Sequence, residues 1–348
     1  MNSRVTKYRI GLLWRTLQKI RNILIRLKTY HLRKKVEAHK KAISLSASEF
    51  NGYSNVGFCF QFHNKGKNVR NVLSPFLTEI KAKNIIFFVD GCVDRTFAVA
   101  NKLLRAPGHI IINRNNTHEI SNYRMAAHIF GQLGCKYIVC LQDDDIYSGS
   151  VAAWVDTVIN IMEKDDFVSI VGLNAGENLT KKHFSPADDG LTSSIFESVE
   201  ISGTNGKKEV MYRLGNYSET KSVQIEKTEN ATNYIYCASV NRSPQIIRVA
   251  DIIEFGYFPV EMEPYQYDDY YNCFTAWLND RKCLLAPISS KYANIGIGGM
   301  RLFNNVSISN RPIHFVRNHN YIYENFGQEW NSVNIQRLVD EANRSLHN

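Results

Sequence analysis

The sequence predicts an α/β protein with a mostly parallel central sheet flanked by helices, and three observations carry that prediction. Short apolar runs alternate with helix-length amphipathic stretches from about residue 55 to residue 173, which is the rhythm of βαβ units. Each run closes on polar or acidic residues, where a sheet of this kind presents its ligand-binding edge. The chain has 348 residues and 44% hydrophobic content, enough for one large core or two modest ones, which excludes disorder and a disulfide-stapled miniprotein.

Taken in order, the runs are VGFCFQF, NIIFFVDG, HIIIN and KYIVCLQ. Between them lie helical stretches over Val69 to Lys81, Thr96 to Leu104 and Ser121 to Leu133. The polar residues at the run ends are therefore the ones that face a ligand: Asn64 and Lys65, then Asp90, then Asn113 and Arg114, then Asp143, Asp144 and Asp145. A helix near 150–163 and the strand FVSIVGL follow. Residues 174–232 turn rich in Gly, Ser, Thr, Asn and Lys and read as a polar insert. An ordered block from Tyr234 to about Pro287 and a tail with a final helix after Trp330 complete the chain. The organisation expected is a basic helical segment over 1–50, one half-domain over 51–173, the insert over 174–232 and a second half over 233–348.

Charge is concentrated at one end. The net charge is +9, yet residues 1–41 hold thirteen Lys or Arg against the single acid Glu37, so the remainder is mildly acidic. Ile10, Leu13, Leu17, Ile20, Leu24 and Leu27 recur at alternating spacings of three and four, one stripe of a long amphipathic helix. Such a helix suits an anionic membrane surface, reached by residues 8–41. The same stripe is a heptad seam that could pair with a second copy in a homo-oligomer, or dock on its own domain. No nucleic-acid-binding motif accompanies the charge, and no nucleic acid is expected as a partner. Seven cysteines without a CxxC pair, mostly inside apolar runs, suit buried thiols rather than a zinc site. No apolar run reaches the roughly 18–20 residues needed to span a bilayer. The expected location is the cytoplasm, peripheral to the cytoplasmic face of a membrane.

Three adjacent carboxylates at a strand end repel one another and need compensating charge. A solvated acidic turn is one answer; a divalent cation held by oxygen ligands, Mg²⁺ or Mn²⁺, is the other. Context bears on the choice. The segments VGFCFQFHNKGKNV, NIIFFVDGCVDRT, IIINRNN, SNYRMA and YIVCLQDDDIY stand in the order and spacing of the nucleotide-binding half of family 2 glycosyltransferases of the GT-A fold, which they resemble. The resemblance covers roughly residues 55–290 and implies a nucleotide-sugar donor, a UDP-sugar in preference. It also implies a Rossmann-like sheet, nucleotide contacts from Asp90, Asn64 and Arg124, and a metal-holding DxD element at Gln142 to Asp145. Gln142 replaces the usual first acid in one register, so Asp145 is the ligand expected in either, with Asp143 or Asp144 as its partner. The neighbour expected before Asp90 as a second acid is Val89.

The stretch FGYFPVEMEPYQYDDYYNCFTAWLNDRKCLLAP resembles the acceptor-side motif of the same family, an acid pair opening a helix followed by a strand ending in proline. The resemblance places Asp268 and Asp269 on that pair and makes Asp269 the general base of an inverting transfer, a role that answers the weak nucleophilicity of a hydroxyl. Acids at a helix start also favour the macrodipole without any catalysis. Glu261 and Glu263 are reserve acids, nearby tyrosines and Trp277 are candidate sugar-packing rings, and His314 is a candidate for the metal shell. The acceptor implied is a growing glycan or a lipid-linked saccharide. The competing readings are a nucleotidyltransferase and a non-catalytic membrane-associated glycan-binding scaffold.

Overall fold

The computed structural model of the chain describes residues 53–147, 149–179, 196–202, 208–214, 220–242, 244–264, 267–292, 311–326 and 331–346. The basic amphipathic helix expected at the N-terminus lies outside them. The first half runs β1 (Val56–Phe62), α1 (Val69–Thr78), β2 (Asn84–Asp90), α2 (Thr96–Leu103), β3 (His109–Arg114), α3 (His118–Gln132), β4 (Tyr137–Gln142), β5 (Asp145–Tyr147), α4 (Val151–Lys164) and β6 (Val168–Gly172). The region expected as a polar insert contains β7 (Gly176–Leu179), β8 (Phe196–Ser202), β9 (Lys208–Leu214) and β10 (Thr220–Ser222). Then come β11 (Ile235–Tyr236), β12 (Ser239–Val240), β13 (Gln245–Arg248), α5 (Val249–Phe255), α6 (Asp268–Leu278), β14 (Lys282–Leu285), β15 (Ser290–Tyr292), α7 (Arg311–Phe326) and α8 (Asn331–Leu346).

Eight strands form one sheet in the order β11, β14, β6, β13, β4, β1, β2, β3. The run β4, β1, β2, β3 is parallel throughout, as is the pair β14 and β6. Two strands are reversed: β13 between β4 and β6, and β11 at the edge. The predicted α/β architecture, a mostly parallel sheet flanked by helices, is the one the chain adopts. Because β13 is reversed, its first residue, Gln245, pairs with Cys140 near the end of β4 and with Gly172 at the end of β6.

The strands are apolar without alternation because both of their faces are covered. Every residue of β1 is buried. Phe62 stacks on Phe87 with ring centroids 4.6 Å apart, and Phe60 meets Phe76 edge-on at 5.1 Å. Each such ring contributes roughly 1.5–3 kcal/mol by leaving water. Gly57 lets α3 settle close to β1, since a Cβ there would lie 2.4 Å from the Phe130 ring. The start of α4 is fixed by Ser150, whose Oγ accepts from the Ala153 amide, and by Glu79, whose Oε2 accepts from the Val151 amide at 2.7 Å.

The polar region is stitched back onto the second half: β7 lies between β10 and β12 in a three-stranded sheet, while β8 and β9 form a hairpin. β15 pairs with β5, Tyr292 opposite Asp145, and so lays a strand beside the acidic triplet. The edge strand β11 is covered by α8, where Asn343 accepts from the Tyr236 amide at 2.8 Å and donates to its carbonyl at 3.0 Å. All seven cysteines are free thiols, six of them buried. Among the described residues no helix is long and apolar enough to cross a membrane.

Candidate active site

The loops leaving β1, β2 and β4 are tied into one unit by polar side chains. Asn64 sits in the left-handed region at φ 57°. Its Oδ1 accepts from the Val93 amide at 2.7 Å, and its Nδ2 donates to His63 Nε2 at 3.0 Å. His63 Nδ1 in turn donates to the Asp90 carbonyl at 2.6 Å, which makes the ring a neutral tautomer with its proton on Nδ1. Gly91, at φ +66°, turns the chain immediately after Asp90. The Asp90 carboxylate is buried and accepts from the amides of Thr117 (2.6 Å) and His118 (2.7 Å). Asp90 thus caps α3, which explains why that helix begins at His118, three residues earlier than its apolar pattern suggests.

The acidic triplet divides in two. Asp143 and Asp144 share one cation, the Lys65 ammonium, at 2.8 and 3.0 Å. Asp143 also accepts from the His63 amide at 2.8 Å. Burial pushes the Asp143 carboxyl up to about 6 even though Lys65 pulls the other way. Burial works against the Lys65 charge, but its two acids outweigh that and hold its pKa above the ordinary lysine value. Asp145 goes elsewhere: it is buried in β5, and its Oδ2 accepts from the amide of Gln142 within the same turn, at 3.3 Å. The pair gathered on the lysine is 143 and 144, and Asp145, the metal ligand expected in either register, stands apart from it.

On the other side of the edge one guanidinium gathers three acids. Arg242 lies just before β13, and its side chain is 8% exposed. Its Nε donates to Asp269 Oδ1 at 2.8 Å, Nη2 lies 2.9 Å from Asp268 Oδ1, and Nη1 lies 3.1 Å from Glu119 Oε2. The guanidinium also covers the face of Tyr123, 5.7 Å from the ring centroid. Glu119 belongs to the first turn of α3 and accepts from Gln142 Nε2 at 3.3 Å. A continuous polar chain thus runs from Gln142, beside the triplet, through Glu119 and Arg242 to Asp268 and Asp269. Among the described residues no aligned hydrogen bond reaches either carboxylate oxygen of the fully buried Asp268, whereas the Asp269 side chain is 20% exposed. Burial pushes the Asp268 carboxyl up to about 7 against the pull of Arg242, and raises Asp269 for the same reason.

Arg124, expected as a nucleotide contact, is bonded to the segment that leads into α6. Its guanidinium donates to the Phe258 carbonyl at 3.1 Å and to Glu263 Oε1 at 2.7 Å. Arg317 donates to the Glu263 carbonyl and Asn318 to that of Met262, so three side chains hold the segment that leads into α6. The aromatic residues divide as packing groups: Tyr270 donates to Glu177, Tyr271 stacks on Tyr321, and Trp277 donates to the Cys237 carbonyl. The His314 side chain lies outside the described residues.

Among the described residues no group of three His, Cys, Asp or Glu side chains is arranged to hold a metal ion. The Lys65 ammonium nonetheless marks a cation position between two carboxylates at the strand ends. Two oxygen ligands of this kind fit Mg²⁺ or Mn²⁺ that draws the rest of its shell from water and substrate phosphates, and they do not fit an all-protein cage.

The sequence matches no family model and no curated protein. Among solved structures the chain is similar to GalNAc-T7 crystallised with UDP, GalNAc and Mn²⁺, at 11% identity and TM-score 0.43 over 66% of this chain and 42% of that one. It is also similar to S. aureus TarS 1-349, at 11% identity and TM-score 0.43 over 69% of this chain and 60% of that one. The same TarS fragment in complex with UDP-GlcNAc gives 11% identity and TM-score 0.39 over 66% and 55%. The chain spans about half the length of these structures. The site therefore stands on its own residues.

Two of those residues escaped the sequence: Glu119 and Arg242. Each is a lone charge in ordinary surroundings, HEISN and SVNRSP, and neither shares a spacing with the acids it meets. Lys65 was legible as a polar residue at a strand end, but not as the partner of the triplet.

Proposed function

We propose that the chain is an inverting glycosyltransferase that moves a sugar from a nucleotide-diphosphate donor to a hydroxyl of a glycan or lipid-linked saccharide. The observation that carries this reading is the polar chain from Gln142 to Asp269. It runs, at the carboxyl edge of one sheet, from the residue that precedes the strand-end acids to a helix-start acid pair more than 120 residues away in the sequence. The strand-end acids and the helix-start pair are two of the elements in the family resemblance. The GT-A assignment and the UDP preference belong to the same proposal.

The donor would lie across the ends of β1, β2 and β4, its base toward the loop shaped by Asn64 and Asp90 and its diphosphate toward Asp143 and Asp144. Those two carboxylates would hold Mn²⁺ or Mg²⁺ in the place of the Lys65 ammonium, and the metal supplies positive charge for the departing diphosphate. Asp269 takes the proton of the acceptor hydroxyl as its oxygen attacks the anomeric carbon. The bond to the diphosphate breaks with inversion, and the nucleoside diphosphate departs. Asp269 keeps an exposed side through which a hydroxyl can approach, whereas Asp268 has none.

Incubation with a panel of UDP-, GDP- and dTDP-sugars, with Mn²⁺ or with EDTA, tests the reading. Release of nucleoside diphosphate from at least one donor, lost in EDTA, is expected. A chain that releases none from any donor and binds none in Mn²⁺ is not this enzyme. The basic segment is assigned to an anionic membrane surface, so removal of residues 1–45 should release the protein from anionic vesicles.

A further inference from the structure

Two adjacent carboxylates at one helix start pose a question that the proposed chemistry leaves open: what makes one of them the base and keeps it at the right distance from the donor? Asp268 and Asp269 are chemically identical and share the favourable first turn of α6. Their surroundings are not alike. Asp268 is sealed from solvent and touches Arg242 only through an unaligned contact. Asp269 accepts a well-aligned hydrogen bond from Nε of the guanidinium and remains partly exposed. A guanidinium is a rigid planar fork, so fixing one edge fixes the others. The fork is itself held from two sides, by the Tyr123 face and by Glu119. Glu119 is bonded to Gln142, the last residue of β4 before the acidic triplet.

We propose, resting on the glycosyltransferase reading, that Arg242 is the positioning residue of the acceptor-side acid: its Nε bond presents Asp269 to the acceptor, and its contact with Glu119 sets the distance between that acid and the donor end of β4. Asp268 is the buried neighbour that the same fork holds back from the acceptor. Arg242 touches neither substrate. It acts through Asp269 and through Glu119.

The alternative is that Arg242 merely neutralises buried charge. Lysine separates the two, because an ammonium keeps the charge but cannot serve three carboxylates in fixed directions. In nucleoside diphosphate release from the donor selected by the panel, Arg242→Lys should lower kcat about 10- to 100-fold, since small misplacements of a catalytic group cost that much. The KM for the donor should stay within about threefold, because the donor is bound elsewhere. In an Asp269→Asn background the same Arg242→Lys change should cause no further loss, since the acid it positions is gone. Glu119→Gln keeps the length of the side chain and its bond to Gln142 while weakening the ion pair. It should lower kcat several-fold with unchanged donor binding, and it serves if Arg242→Lys does not fold.

Wild-type kcat in both single variants overturns the proposal. So does an Arg242→Lys loss that multiplies fully onto Asp269→Asn. A wild-type chain that is inactive on every donor removes the enzyme reading and this inference together, whereas an active wild type with either failure above removes the inference alone.

Discussion

Two clusters of charge flank the carboxyl edge of the sheet, one beside β1 and β4 and one beside α3 and α6. Each packs a surplus of carboxylates around a single buried base: Asp143 and Asp144 around Lys65, and Glu119, Asp268 and Asp269 around Arg242. The bases differ in kind. Lys65 is a compact charge on a flexible stem, joining loops that follow the adjacent strands β1 and β4. Arg242 is a fork that links α3, α6 and the approach to β13. The first arrangement can give up its cation to another one; the second cannot without releasing three elements. In the proposed reading the Lys65 cluster, at the donor end, is built for exchange and the Arg242 cluster, at the acceptor end, for permanence.

The comparison can be broken most sharply by activity. Asp269→Asn should lower kcat by about 10²- to 10⁴-fold while leaving nucleoside diphosphate binding in Mn²⁺ intact. Asp144→Asn should do the reverse and abolish metal-dependent binding as read by calorimetry. If both lose binding alike, the two ends do not divide the labour.

Stability comes next. Arg242→Ala strands a sealed carboxylate and should cost roughly 3–5 kcal/mol in denaturant unfolding, with no recovery on adding Mn²⁺. Lys65→Ala should cost less, about 2 kcal/mol, because Asp143 keeps its bond from the His63 amide. Mn²⁺ should restore that loss. Equal recovery in the two variants would erase the distinction drawn here.

A smaller effect concerns pH. The Asp268 carboxyl is raised to about 7 in the folded chain, against about 3.9 for an unperturbed aspartate. Between those values the native state binds the proton that the unfolded chain has released. Its contribution to stability is therefore present in full below pH 4 and is lost as pH rises toward 7. Asp268→Asn should flatten that slope in thermal melts compared pairwise with the wild type. The smallest effect is Arg124→Ala. Its half-exposed bridge to Glu263 should be worth less than about 1 kcal/mol, and nucleotide affinity should not change.

Much of the layout was legible because β1, β2 and β4 are buried on both faces and so read as unbroken apolar runs. Helix ends were less so. The start of α3 depends on the Asp90 carboxylate, 27 residues earlier, which no local pattern reports. Helix α7 was missed for a similar reason: RPIHFVRNHNYIYENF looks polar, yet Asn318 and His319 within it are buried against the second half. In the site, the acids stood out because adjacent carboxylates are chemically costly and so invite an explanation. Their counter-charges did not, since a lone Arg or Glu is an ordinary surface residue until the fold buries it.

The reversed strand β13 has a consequence for protein engineering. A parallel strand in that slot would bring its tail to the carboxyl edge; β13 brings its head, and Arg242 lies three residues ahead of Gln245. A chimera that grafts a new second half onto this first half must therefore carry the 239–248 segment along with the helix that bears the acid pair. A crossover point placed between them would import the acid pair without the guanidinium that contacts it.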